Sequence, residues 1–106
     1  MSVNKVILLG HVGKDPEIRY VQTRPIASFS LATNEPAPAG VKGAQPRVEW
    51  HNIVMWDANA EYAERYIRKG TRLYIEGKLR HRQWQDRNAI SRTITEIYVD
   101  YFEILG

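Results

Sequence analysis

The chain has 106 residues, a size expected to form a single domain over residues 1–106, with 43% apolar and 25% charged residues, ordinary for a folded protein. It has no cysteine, which excludes disulfides, zinc–thiolate sites and cysteine nucleophiles, and no apolar run near the roughly 20 residues of a membrane span. The net charge is only +3, but residues 68–92 hold Arg68, Lys69, Arg72, Lys78, Arg80, Arg82, Arg87 and Arg92 against Glu76 and Asp86 alone, a local +6 that leaves −3 elsewhere and marks a polyanion binder.

The start, Met1 to Lys5, lacks the apolar stretch of a cleavable signal and the Arg- and Ser-rich look of a transit peptide, so an intracellular, cytoplasmic location is expected. Val3 to Val12 is apolar and β-branched and reads as a strand, broken by Gly13 to Pro16. A short extended piece over Glu17 to Val21 leads to a turn at Gln22 to Pro25. Ile26 to Thr33 alternates, with Ala27, Phe29 and Leu31 on one face and Ser28 and Ser30 on the other. Glu35 to Pro46, with prolines at 36, 38 and 46, is expected to be a mobile loop. Arg47 to Trp56 is the third strand.

One helix follows, capped by Asp57 or Asn59, with Tyr62, Ala63, Tyr66 and Ile67 as its apolar stripe and Arg68-Lys69-Gly70 as its end. Thr71 to Arg82 is a long fourth strand. A polar tip at Gln85 to Asn88 joins it to a last strand from Ser91 to Leu105. Three strands, a helix and two strands suit an all-β fold of the OB type: a five-stranded antiparallel Greek-key barrel with one helix between strands 3 and 4. A four-stranded sheet with one helix is the alternative topology.

Strand parity then places the aromatic residues. In the third strand Trp50, Asn52, Val54 and Trp56 share one face, and Glu49, His51, Ile53 and Met55 share the other, which is the better core candidate. In the fourth strand Leu73, Ile75 and Leu79 face the core, and Lys78, Arg80, Arg82 and Trp84 line up opposite if the strand stays regular past Gly77. Outward indoles beside cations suit a single strand of nucleic acid. Rings stack on unpaired base faces, at about 1–3 kcal/mol per base, and cations pair with phosphates. A duplex hides those base faces, so the arrangement selects for single strands. The bland alternative is three tryptophans in a core or a protein interface.

Val6, Ile7, Leu8 and Leu9 are consecutive, so both faces of the first strand are apolar. One can fill the interior. The other needs cover, either from a second subunit or from a loop of the same chain. Catalysis has little support. Gly13-Lys14 fails as a phosphate loop because Leu8 and Asp15 stand where Gly and Ser or Thr are required. His11, His51 and His81 lack ligand spacing, His51 falls on the core-facing parity, and the basic region offers no carboxylate cluster for a metal. No enzyme activity, metal or cofactor is expected.

Val3-Asn4-Lys5-Val6-Ile7-Leu8-Leu9-Gly10 and Gly13-Lys14-Asp15-Pro16-Glu17-Ile18-Arg19-Tyr20 resemble the opening of bacterial single-stranded DNA-binding protein (SSB). Leu31-Ala32-Thr33, Glu49-Trp50-His51, Tyr66-Ile67-Arg68-Lys69-Gly70 and Tyr74-Ile75-Glu76-Gly77-Lys78-Leu79-Arg80 continue the resemblance, in order, to about Val99.

The resemblance implies an OB-fold homotetramer that coats single-stranded DNA without sequence preference during replication, recombination and repair, in the cytoplasm at the nucleoid. It implies base stacking on Trp50, Trp56 and Trp84 and phosphate contacts from Lys5, Arg19, Lys69, Lys78, Arg80 and Arg82. It ties His51 to subunit assembly, and the apolar first strand adds Val6 and Leu8 as expected interface residues, with either face of that strand open to the contact. There are departures. A further stacking tryptophan common in the family is replaced by Pro36-Ala37-Pro38, and the next loop holds only Lys42. The family's acidic tail is missing from a sequence that stops at Gly106, so tail-mediated partner recruitment is not expected of the chain as given. The alternative function is an OB-fold primosome or replication-restart assembly protein that uses the same face for protein partners. An RNA chaperone of the cold-shock type is a third reading.

Overall fold

The computed structural model describes residues 1–106. Its elements in chain order are β1 (Val6–Val12), β2 (Glu17–Val21), β3 (Arg24–Glu35), β4 (Arg47–Trp56), α1 (Asp57–Tyr66), β5 (Arg72–Gln85) and β6 (Ser91–Ile104). The strands form one sheet in the order β1-β5-β6-β4-β3-β2, and an additional β1–β3 pairing, His11 opposite Ala32 and Val12 opposite Leu31, closes it. Five strands therefore make the ring expected of an OB-fold, and β2 is appended to β3 outside it. The helix joins the third and fourth strands of that ring.

The closure has a consequence for strand direction. An odd ring cannot alternate direction at every step, so at least one neighbouring pair must run parallel. That pair is β4–β6, with Ile53 opposite Ile97 and Val54 opposite Tyr98; every other pairing is antiparallel. The all-antiparallel expectation is refined by this one pair.

The interior follows the alternation of the sequence. Ala27, Phe29 and Leu31 of β3, Ile53 and Met55 of β4, Leu73 and Ile75 of β5 and Ile97 of β6 share a single buried cluster. Each large aliphatic side chain in it gains about 1.5–3 kcal/mol from burial, which fixes the register, since a one-residue slip would turn the whole row outward. Val54 keeps the face that parity assigns it, opposite the core cluster, but is buried there, between Ser28 and Tyr98 in register.

Four local expectations change. The turn after β2 is only Gln22–Thr23, with Gln22 at φ 58°, and Pro25 sits inside β3. Pro25 is tolerated because β3 there faces β2 alone, its pairing with β4 beginning at Ile26. Helix α1 has no side-chain cap: its N-cap position is Trp56, whose side chain offers no acceptor, and the Asp57 carboxylate accepts from Arg24. Its buried stripe is Ala60, Ala63 and, just past its end, Ile67, while Tyr62 and Tyr66 stay exposed. The small alanines let the helix close onto the end of the ring, where tyrosines would hold it off. Finally, Leu79 is exposed despite its inward parity, because β1 pairs with β5 only from Val6 opposite Gly77 and leaves that side of β5 uncovered beyond it, and farther out β5 and β6 continue as a two-stranded arm to Gln85 opposite Ser91.

Candidate nucleic-acid interface

Directly opposed residues of neighbouring strands point to the same side of a sheet, so the register maps the outer face. Trp50 opposes Ala32, Asn52 opposes Ser30, Val54 opposes Ser28 and Trp56 opposes Ile26. On the flank, Glu17 opposes Ser28 and Arg19 opposes Ile26, which brings Arg19 to the same side. Across the parallel pair Val54 meets Tyr98, and from there Lys78 opposes Tyr98, Arg80 opposes Glu96, Arg82 opposes Ile94 and Trp84 opposes Arg92. One outer face thus carries all three tryptophans with Arg19, Lys78, Arg80 and Arg82. The regularity of β5 past Gly77 holds, because the irregularity there places the extra residue, Asp100, on β6.

The tryptophans are not equivalent. Trp50 is 60% exposed and lies against Gly13, where any added Cβ would collide with the ring. Trp84 is 46% exposed near the tip of the β5–β6 arm. Trp56 is half-buried: the Arg24 guanidinium lies over its ring at 4.6 Å from the centroid, Tyr98 stands 6.2 Å away, and its Nε1 is buried without a hydrogen-bond partner. The wet indole expected at position 56 is therefore largely covered.

The cations also divide. Lys5 pairs with Glu76 at 2.8 Å, Lys78 with Asp100 at 3.5 Å, and Arg82 with Glu96, its Nε and Nη2 donating to the two carboxylate oxygens at 3.1 and 3.2 Å. Arg19 and Arg80 make no ion pair, and Arg80 lies 5.9 Å from the Tyr98 ring. Lys69 stands apart from this face in register. Its backbone N–H donates to Asp15 at 2.8 Å, which fixes the end of the helix region to the β1–β2 connection.

A groove of about 480 Å³ opens on the same face, lined by Lys14, Arg19, Ser28, Ser30, Asn52, Arg82 and Glu96 among others. Its walls are mixed in charge and rich in donors. The pairing with Glu96 holds the Arg82 guanidinium firmly protonated, raising it above its ordinary value. No group of three or more His, Asp or Glu side chains that could hold a metal ion forms. Arg24, Tyr98 and Glu96 belong to this face and were not singled out from the sequence. Tyr98 and Glu96 could have been found from parity on the last strand. Arg24 opens β3 on the same parity as Ile26 and Ser28, but its pairing with Asp57, 33 positions away, has no signal in the sequence.

The residues assigned to assembly are placed differently from expectation. Val6 and Leu8 pack against the core cluster, while Ile7 and Leu9 face out at 59% and 46% exposure. The first strand's uncovered side is thus Ile7 and Leu9, opposite Glu76 and Tyr74 of β5. His51 is half-buried, its Nε2 2.9 Å from the Thr33 hydroxyl.

The model of the single-strand binding protein family matches residues 3–105. The chain is 47% identical, over its whole length, to a single-stranded DNA-binding protein of Bacteroides thetaiotaomicron, of which it spans 68%. It is 40% identical to the protein of that name in Neisseria meningitidis and spans 62% of it, so the chain covers about two thirds of these relatives. Among solved structures it superposes on the Plasmodium falciparum SSB complex with ssDNA, at a TM-score of 0.88 and 36% identity, covering 100% of this chain and 97% of that one. With 103 of its residues inside the family match and an OB-fold ring beneath them, the chain belongs to the single-strand binding protein family, whose members are non-catalytic DNA-binding proteins.

Proposed function

We propose that the chain binds single-stranded DNA without sequence preference and coats it stoichiometrically. The observation that carries this reading is the outer face itself: three tryptophans and four of the proposed cations share one side of a continuous sheet, and two of the indoles are exposed. Trp50, Trp56 and Trp84 supply stacking, at about 1–3 kcal/mol for each base engaged. Lys5, Arg19, Lys69, Lys78, Arg80 and Arg82 follow the phosphates and displace counterions. Lys5, Lys78 and Arg82 must exchange a carboxylate for a phosphate to do so, so Arg19, Arg80 and Lys69 are the cations available at first contact.

Family membership and the ssDNA-bound relative support the choice of ligand. The same reading assigns the chain to replication, recombination and repair at the nucleoid, and to a homotetramer. The decisive experiment titrates oligo-dT, the matching duplex and an RNA of equal length in parallel while following tryptophan emission. Single-stranded DNA is expected to quench emission and bind tightest, with log affinity falling against log salt by about 0.7 for each phosphate neutralised. Equal affinity for duplex and single strand overturns the reading and favours a protein-docking role for the face. RNA binding as tight as DNA binding overturns the choice of polymer.

A further inference from the structure

We infer that Arg24 is a base-stacking residue of this interface: its guanidinium, held over Trp56 by Asp57, is the surface a nucleobase meets at that end of the face. This rests on the single-stranded DNA reading and deepens it at one site.

Separate observations converge there. The Arg24 Cζ lies 4.6 Å from the centroid of the Trp56 ring, within cation–π range. Arg24 is then fixed from its edge by a two-point contact, Nε to Asp57 Oδ1 at 3.0 Å and Nη2 to Oδ2 at 2.8 Å. Asp57 reaches that position with φ at 56°, in the left-handed region that costs a side-chain-bearing residue energy and is retained when the surroundings enforce it. The indole below is half-buried, with Tyr98 near it, so on the side Arg24 covers the ring cannot meet a base directly. Arg24, by contrast, is more than half exposed.

The chemistry suits a base. A guanidinium is planar, delocalised and weakly hydrated, and stacks on aromatic faces and on unpaired bases alike. Set over the Trp56 ring, it extends that side of the face outward with a planar group. Its charge is already balanced by Asp57, so it contributes through stacking and little through counterion release. Two of its five N–H donors are used by Asp57, which leaves three for base edges or phosphate oxygens.

The test compares wild type, Arg24→Lys and Arg24→Ala in binding labelled oligo-dT by anisotropy across a salt series. Both variants are expected to bind roughly tenfold more weakly, at the lower end of the range for one lost stacking contact, with an unchanged salt slope. The lysine variant is the discriminating one, because it keeps the charge and loses the plane. Wild-type affinity in Arg24→Lys makes Arg24 an ordinary cation and overturns the inference. Tighter binding by Arg24→Ala makes Arg24 a cover over Trp56 and overturns it equally. A wild-type chain that leaves oligo-dT unbound defeats the single-stranded DNA reading itself, and this inference with it.

Discussion

Trp50 and Trp84 reach solvent by different means, and their substitutions should behave differently. Trp84 stands on the β5–β6 arm, beyond the buried cluster, so Trp84→Ala removes a stacking surface and little else. It should weaken oligo-dT binding by about 1–3 kcal/mol, read by anisotropy, with the melting transition unmoved. Trp50 instead lies on Gly13, the residue after β1, and the ring occupies the space a side chain there would need. Gly13→Ala should therefore displace the indole and weaken binding with no change in charge. Arg82 and Glu96 form the other residue-scale unit. Glu96 is 8% exposed at its side chain and Arg82 is 44% exposed, so solvent screens one partner and not the other. Arg82→Ala strands the carboxylate, at a cost of about 1 kcal/mol after that screening is allowed for. Arg82→Ala combined with Glu96→Gln should recover part of it in thermal melts. A double variant no more stable than Arg82→Ala would mean that the pair's charge is not what Glu96 needs.

The arm made by β5 and β6 is the element on which the face depends most. Its far end has no buried cluster beneath it, so its order comes from the strand ladder and from the tip. There Asp86 accepts from the Asn88 and Ile90 backbone N–H groups, at 2.9 and 3.0 Å, and from Arg92 Nε at 3.1 Å. These contacts, led by the Ile90 N–H, hold the Asp86 carboxyl below its ordinary range. A carboxylate lowered on folding contributes order that is fully present above its unfolded value and is lost as pH falls through its folded value. Amide protection at Asn88 and Ile90, relative to Asp86→Ala at the same pH, should therefore hold at neutral pH and vanish in acid below the ordinary aspartate range. Protection that persists there would assign tip order to the ladder alone. Much of this element was legible in the sequence. Alternation named the Lys78, Arg80, Arg82 and Trp84 row, and the Gln85–Asn88 tip was read as polar. Parity gives the side a residue points to, not what lies beneath that side, so alternation assigns Leu79 to the core although it is exposed. The same limit explains α1, where Tyr62 and Tyr66 fit an apolar stripe but the ring end accepts only the alanines. It explains Trp56 as well, since a cover supplied by Arg24 at the start of a neighbouring strand leaves no periodic trace in β4.

At the scale of the whole molecule, the ring is small and the outer side of β1 is apolar. Only 19 of 106 residues are buried, and the radius of gyration is 15.8 Å, against about 13 Å for a compact chain of this length. The projecting arm contributes to the excess, and extents of 53 × 38 × 35 Å describe a body with an extension. On the side of β1 turned away from the core, Ile7 and Leu9 sit beside Tyr74 and Tyr101, whose rings meet edge-on at 6.4 Å. Such a patch on a body with so modest a core gains more from a second copy than from water, and a stable subunit contact needs about 1,600 Å² in total. Light scattering should accordingly return a multiple of the chain mass, with a tetramer expected. Ile7→Lys with Leu9→Lys should shift it toward smaller species, since two ammonium groups would have to be desolvated in the contact. Assembly of this kind also links stability to concentration, so the melting temperature of wild type should rise with protein concentration and that of the double variant should not. A chain that scatters as a monomer at every concentration, or a double variant that keeps the full mass, would place the subunit contact elsewhere or nowhere.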